Sequence, residues 1–211
     1  MKKSLLAFMA IIGLSAPLAA HQLWLEREGS VLHEYFGHWL SFKEKADGKR
    51  LDAIKGVELS PKDAYLKTVR GEDGIAIFVN KVGDMGVTEV MTPRKGKFVD
   101  FTVRTIFLAR EGRSESKTLL ALDMVPESPN SNTFTLMLDG KALPKAKVAL
   151  MAPNTWSKNF MSDEAGKVTL QTPWLGNYVA QLDYTDKTKG EAEGIAYDQT
   201  NYVMTLHFSV K

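Results

Sequence analysis

The stretch Thr133-Phe-Thr-Leu-Met-Leu138, taken with Tyr178-Val-Ala-Gln-Leu182, decides the fold class. In the first, Phe134, Leu136 and Leu138 alternate with Thr135 and Met137; in the second, Tyr178, Ala180 and Leu182 lie opposite Val179 and Gln181. A side-chain period of two is that of a strand with one face on a core. Outward from these stretches, further runs occupy Ile75 to Val79, Phe98 to Ala109, Leu119 to Val125, Ala146 to Met151, Lys167 to Gln171 and Tyr202 to Val210. Clusters of Gly, Pro, Asn and Asp separate them, as turns require. The chain is therefore predicted to be all-β. Only Asp52 to Val57 and Pro61 to Lys67 are expected to form short helical turns, the second with Ser60 as N-cap before a proline at the first helical position.

The polar segment Gly112 to Lys117 divides the chain into two β-rich, sandwich-like domains, residues 21–116 and 117–211. In the second, seven short strands at close spacing predict a β-sandwich of roughly immunoglobulin size. Its succession Gly140-Lys-Ala-Leu-Pro-Lys-Ala-Lys-Val148, Asp163-Glu-Ala-Gly166 and Pro173-Trp-Leu-Gly-Asn-Tyr178 resembles the transthyretin-like or carboxypeptidase-regulatory β-sandwich modules. That resemblance implies a binding or spacer unit over about ninety residues.

Residues 1–20 read as a secretory leader: Lys2 and Lys3, an apolar run from Leu5 to Leu14, then small Ala16, Ala19 and Ala20. The apolar run is about half the length of roughly 20 residues that a membrane-spanning helix needs, so no integral membrane segment is expected after cleavage. The expected mature chain starts at His21 and resides in the periplasm. The absence of cysteine excludes disulfides, thiolate ligands and a cysteine lipid anchor. Stability must come from burial, and 44% hydrophobic residues is ordinary for a globular chain. The leader carries Lys2 and Lys3 and no acid, so the 27 basic and 25 acidic residues of the full chain become 25 of each. That balance argues against nucleic acid, or an anionic membrane, recognised by bulk charge.

Cleavage after Ala20 exposes His21 as the first residue. Its α-amine and ring Nδ1 can close a six-membered chelate on one metal ion, and a further imidazole gives a three-nitrogen, T-shaped set that suits copper; such donors also suit nickel, cobalt and zinc. The chain has three other histidines, His33, His38 and His207, two of them in His33-Glu-Tyr-Phe-Gly-His38. Glu28-Gly29-Ser30 predicts a hairpin joining His21–Arg27 to Val31–Trp39, which returns these imidazoles toward the amine. Residues five apart on a regular strand point to opposite faces, so His33 and His38 reach one ion together only if a bulge, tolerated at Gly37, interrupts the ladder. The expected metal ligands are His21 and His38, with His33 or Glu34 as a third. Cleavage one residue earlier leaves His21 second, in an amine, amide and imidazole chelate favoured by nickel and copper.

A second resemblance spans essentially the whole mature chain. His21-Gln-Leu-Trp-Leu-Glu26, Tyr35-Phe-Gly37, Trp156-Ser-Lys158, Pro173-Trp174, the segment Asp183 to Glu191 and Tyr197-Asp198 resemble an exported family of unknown function that is similar to periplasmic accessory proteins of nickel and cobalt uptake. This implies two β-rich layers or domains, a metal-related role centred on the first histidine, and a membrane metal transporter as partner. The chain departs from that pattern at His38, where the family often carries an acid, and at Tyr184, where it often carries histidine. The second change removes one possible ligand and the first restores one.

Other residues read more plainly. His207 shares a strand face with Thr205 and Ser209 and is expected to be solvated. Met85 and Met91 can serve soft Cu(I), but methionine more often fills a core. Trp24 and Trp39 are expected in the core or as a wall of the metal site, and Trp156 on a contact surface. Asp183, Asp186, Glu191 and Glu193, interrupted by Lys187 and Lys189, form no EF-hand and read as a solvated loop. No Gly-x-Ser-x-Gly elbow, phosphate loop or His-Glu-x-x-His is present, since His38 falls one residue late after His33-Glu34. The expected function is thus non-enzymatic: metal handling, with a divalent transition ion (nickel or cobalt first, copper second) as cargo. The rival readings are an adhesive or structural module and, more weakly, a copper-dependent oxidase.

Overall fold

A computed structural model describes residues 21–39, 44–56, 58–96 and 100–211; the predicted leader, residues 1–20, lies outside them. The described chain is nearly all β. In its first half the strands are β1 (Gln22–Glu28), β2 (Val31–His38), β3 (Glu44–Lys45), β4 (Leu59–Ser60), β5 (Tyr65–Arg70), β6 (Ile75–Val79), β7 (Met85–Val90), β8 (Arg94–Lys95) and β9 (Thr102–Glu111). The second half supplies β10 (Leu122–Pro126), β11 (Thr133–Leu138), β12 (Lys141–Ala142), β13 (Lys147–Met151), β14 (Ser157–Met161), β15 (Lys167–Thr169), β16 (Gly176–Asp186), β17 (Gly190–Ala192), β18 (Ile195–Tyr197) and β19 (Gln199–Val210).

The strands build three stacked layers and a small β17–β18 hairpin. The central sheet has eight strands in the order β14-β13-β16-β19-β9-β7-β4, with β8 beside β9. Each half of the chain contributes to it, and the two halves meet where β9 runs parallel to β19. On one face lies the four-stranded sheet of β10, β11, β12 and β15; on the other lies the five-stranded sheet of β1, β2, β3, β5 and β6. A sandwich does form in the second half, and its inner sheet is shared with the first.

The sequence of β9 explains its central place. Ile106-Phe-Leu-Ala109 is apolar without alternation, as a strand covered on both faces requires. Ile106 and Leu108 enter the core that holds Phe134, Leu136, Tyr178 and Phe208. Phe107 and Ala109 enter the other, with Leu23, Leu25, Leu32, Phe36 and Ile77. Strand β19 divides likewise, Met204, Leu206 and Phe208 facing the first core and Val203 the second. A third cluster, Trp24 and Trp39 with Val179, joins β1 to β16 and puts both tryptophans in the core.

The segment after β9 is anchored from below. Asp84 accepts hydrogen bonds from the Ser114 and Glu115 N–H groups at 2.8 and 3.1 Å and from the Ser114 hydroxyl. Fully buried Arg110 donates to Asp84 at 2.7 Å and to Asp123 at 3.0 Å, and caps the Glu115 and Lys117 carbonyls.

The helical turns differ from expectation. A 3₁₀ turn spans Gly48–Ala53, earlier than predicted, and a second covers only Lys62–Ala64. Its cap is Pro61, with no side-chain hydrogen bond, and strand β5 begins at Tyr65. The ladder with β6 takes up the backbone groups that a longer helix would have used. Among the described residues no helix is long and apolar enough to cross a membrane.

Candidate metal centre and its cleft

The predicted hairpin is present, with Gly29-Ser30 as a two-residue turn in which Gly29 has a positive φ of 58°. Its register runs without a shift from Glu28 opposite Val31 to Gln22 opposite Gly37. One step beyond that last pair, His21 meets His38, their ring centres 4.6 Å apart. His21 also stacks on Phe36 at 5.2 Å, and Phe36 meets Phe107 edge-on at 5.1 Å. His21 is therefore placed by a three-ring stack rooted in the core.

Gly37 does not interrupt this ladder. Its missing side chain serves the next one, because a Cβ there would lie 1.9 Å from the Glu44 carbonyl oxygen of β3. With the ladder regular, His33 falls on the face opposite His38. It stacks on Tyr35 at 6.2 Å, and its Nε2 is 3.7 Å from a Glu28 carboxylate oxygen. Glu34 shares the inner face but is fully buried, paired with Glu89 in the core. Of the four predicted ligands, the fold brings together His21 and His38 and places His33 and Glu34 elsewhere. Among the described residues no group of three or more His, Asp or Glu side chains is arranged to hold a metal.

Gln22, beside the histidine pair, fixes the strand end. Its amide oxygen accepts from the Trp39 N–H at 2.8 Å, and its amide nitrogen donates to Gln181 at 2.5 Å in the central sheet. The Thr205 hydroxyl donates to the Leu23 carbonyl at 2.5 Å.

His21 opens onto a cleft of 840 Å³ whose wall includes Phe36, Phe107 and Met91 and whose rim carries Lys49, Arg50 and Arg94. Sequence reasoning missed these three cations, which come from a 3₁₀ turn and a two-residue strand with no shared motif. Partial burial holds the His21 imidazole below its ordinary value, and His38, Arg50 and Arg94 act the same way. The ring is accordingly a neutral donor at lower pH than an isolated histidine. The carboxylate acting on it is Glu44, opposite His38 in the β2–β3 ladder and held by Arg50 at 2.9 Å.

No family model, curated protein or solved structure matches this chain.

The remaining candidates separate cleanly. His207 is 4% exposed, against the solvated position expected: the polar face of β19 is covered by β1, and the ring lies 6.4 Å from Trp39 with Nδ1 3.8 Å from Glu111. Met85 is buried in the core, whereas Met91 lines the cleft. Trp156 is half-buried and meets Trp174 edge-on at 5.3 Å, next to Leu175, which is 73% exposed.

Proposed function

We propose that this protein is an exported, non-catalytic metal-binding accessory protein that captures or hands over a divalent transition ion in the periplasm, nickel or cobalt first and copper second. The observation that carries this reading is the His21–His38 pair. Two imidazoles bound cis on one ion, with metal–nitrogen bonds of about 2.0–2.1 Å, have ring centres about 4.5 Å apart. The observed 4.6 Å is close to that separation. Cleavage after Ala20 adds the α-amine of His21 as a third nitrogen. A trans, T-shaped arrangement of the imidazoles needs ring centres about 6 Å apart on the same bond lengths, so the separation favours ion capture over copper oxidase chemistry. A membrane metal transporter is the partner such a role requires.

The test is calorimetric titration of the processed protein, its first residue established by intact mass, with Ni²⁺, Co²⁺, Cu²⁺ and Zn²⁺. One ion per chain is expected, with binding weakened at least tenfold in His38→Ala and after acetylation of the α-amine. Unchanged binding in both would overturn the assignment.

A further inference from the structure

We infer that the ion arrives as an anionic, oxygen-rich chelate, and that the cleft beside the histidines binds the carboxylates of the chelating molecule. This rests on the metal reading above and names its cargo.

The first argument is donor count. His21 and His38 with the freed amine supply three nitrogens, and no third His, Asp or Glu joins them among the described residues. Glu44, opposite His38, is already bound by Arg50. Nickel and cobalt favour square-planar or octahedral shells of about four or six donors. The open positions must be filled by atoms that come with the ion.

The second argument is charge. Lys49, Arg50 and Arg94 border the 840 Å³ cleft into which His21 opens. Arg50 is neutralised by Glu44 and Asp47, but Lys49 and Arg94 have no carboxylate partner among the described residues. Such a rim repels a bare dication and attracts a chelate with net negative charge. An exposed guanidinium presents a fork matched to a carboxylate. The volume lies within the roughly 300–1,000 Å³ typical of small-molecule sites, and Phe36, Phe107 and Met91 give the ligand an apolar wall to bury.

Titration of the processed protein with Ni²⁺ alone, citrate alone and 1:1 nickel–citrate tests this, in the native chain, in Lys49→Gln/Arg94→Gln and in His38→Ala. The expected result is at least tenfold tighter binding of nickel–citrate than of Ni²⁺. The double variant should lose at least tenfold for the chelate while holding Ni²⁺ at least as tightly as before, since the charges that repel the bare ion are gone. Both variants alter half-buried or exposed side chains, and a thermal melt checks that they fold. Ni²⁺ binding as tightly as its citrate complex, or a chelate affinity unchanged in the double variant, overturns the inference and leaves the metal reading standing. Citrate binding equally with and without nickel, and indifferent to His38→Ala, overturns both.

Discussion

Glu34 and Glu89 form a side-chain pair inside the core between the first sheet and the central sheet, both withdrawn from solvent. Two carboxylates there cannot both be ionised without a large cost, so the pair keeps a proton. Its location follows from the donors. Glu89 accepts the backbone N–H groups of Lys55 and Gly56, each at 2.7 Å, whereas among the described residues no N–H reaches either Glu34 oxygen. Burial, and then the Glu89 charge, push Glu34 well above the usual carboxylate range. The pair thus joins β2 and β7 to the Lys55-Gly56 turn, just after the 3₁₀ segment that carries Lys49 and Arg50.

A pH dependence of stability follows from that proton. Folded Glu34 retains a proton that the unfolded chain releases near its ordinary value of 4.5, so stability falls as pH rises above that point, until folded Glu34 itself ionises. Glu34→Gln keeps an N–H donor toward Glu89 and removes the titration. We expect it to flatten the decline and, at pH 8, to raise Tm above that of the native chain. Thermal melts of both proteins from pH 4 to 9 check this; parallel curves would show the proton to be elsewhere.

Arg110 sits between Asp84 and Asp123 with all three side chains excluded from water. Arg110→Met fills the space but leaves two buried carboxylates without their cation, a change that costs about 3–5 kcal/mol. The loss should appear as a lower urea midpoint. Releasing Asp84 also frees the Ser114 and Glu115 amides, whose hydrogen exchange should accelerate first.

Residues 133–138 declared their strand because one face packs on a core and the other does not, and the Glu28-Gly29-Ser30 turn fixed the first hairpin closely enough to align His21 with His38. Ser157–Met161 escaped notice because β14 is an edge strand whose polar residues look like a loop. His207 misled for a related reason: alternation reports which face is polar, and nothing local reports that β1 will cover it. The layering itself was hidden, since the parallel β9–β19 pairing joins segments about a hundred residues apart. The cationic rim was hidden for the same reason, because Lys49 and Arg94 meet only once the sheets are stacked.

Gly37→Ala should show how strongly β3 is held. The new Cβ has no room beside the Glu44 carbonyl, and β3 must move. We expect a loss of at least about 2 kcal/mol, in the range of other forced backbone strain. Exchange of the Ala46 amide, which donates to the Phe36 carbonyl, should rise in step. If β3 shifts without cost, the melt will be unchanged.

The two histidines of the His33-Glu-Tyr-Phe-Gly-His38 segment should behave oppositely. The unbroken ladder puts His38 against His21 and turns His33 to the other face, beside Tyr35 and Glu28. In the processed protein, His38→Ala removes one of three nitrogens and is expected to weaken nickel binding at least tenfold, about 1.4 kcal/mol or more. His33→Ala, and Glu34→Gln in the core, should leave it within about twofold. Equal losses from His33→Ala and His38→Ala would mean that the ion binds with the ladder opened at Gly37. In that case amide exchange along Val31–His38 should increase on adding nickel, whereas a preformed His21–His38 pair predicts that it slows.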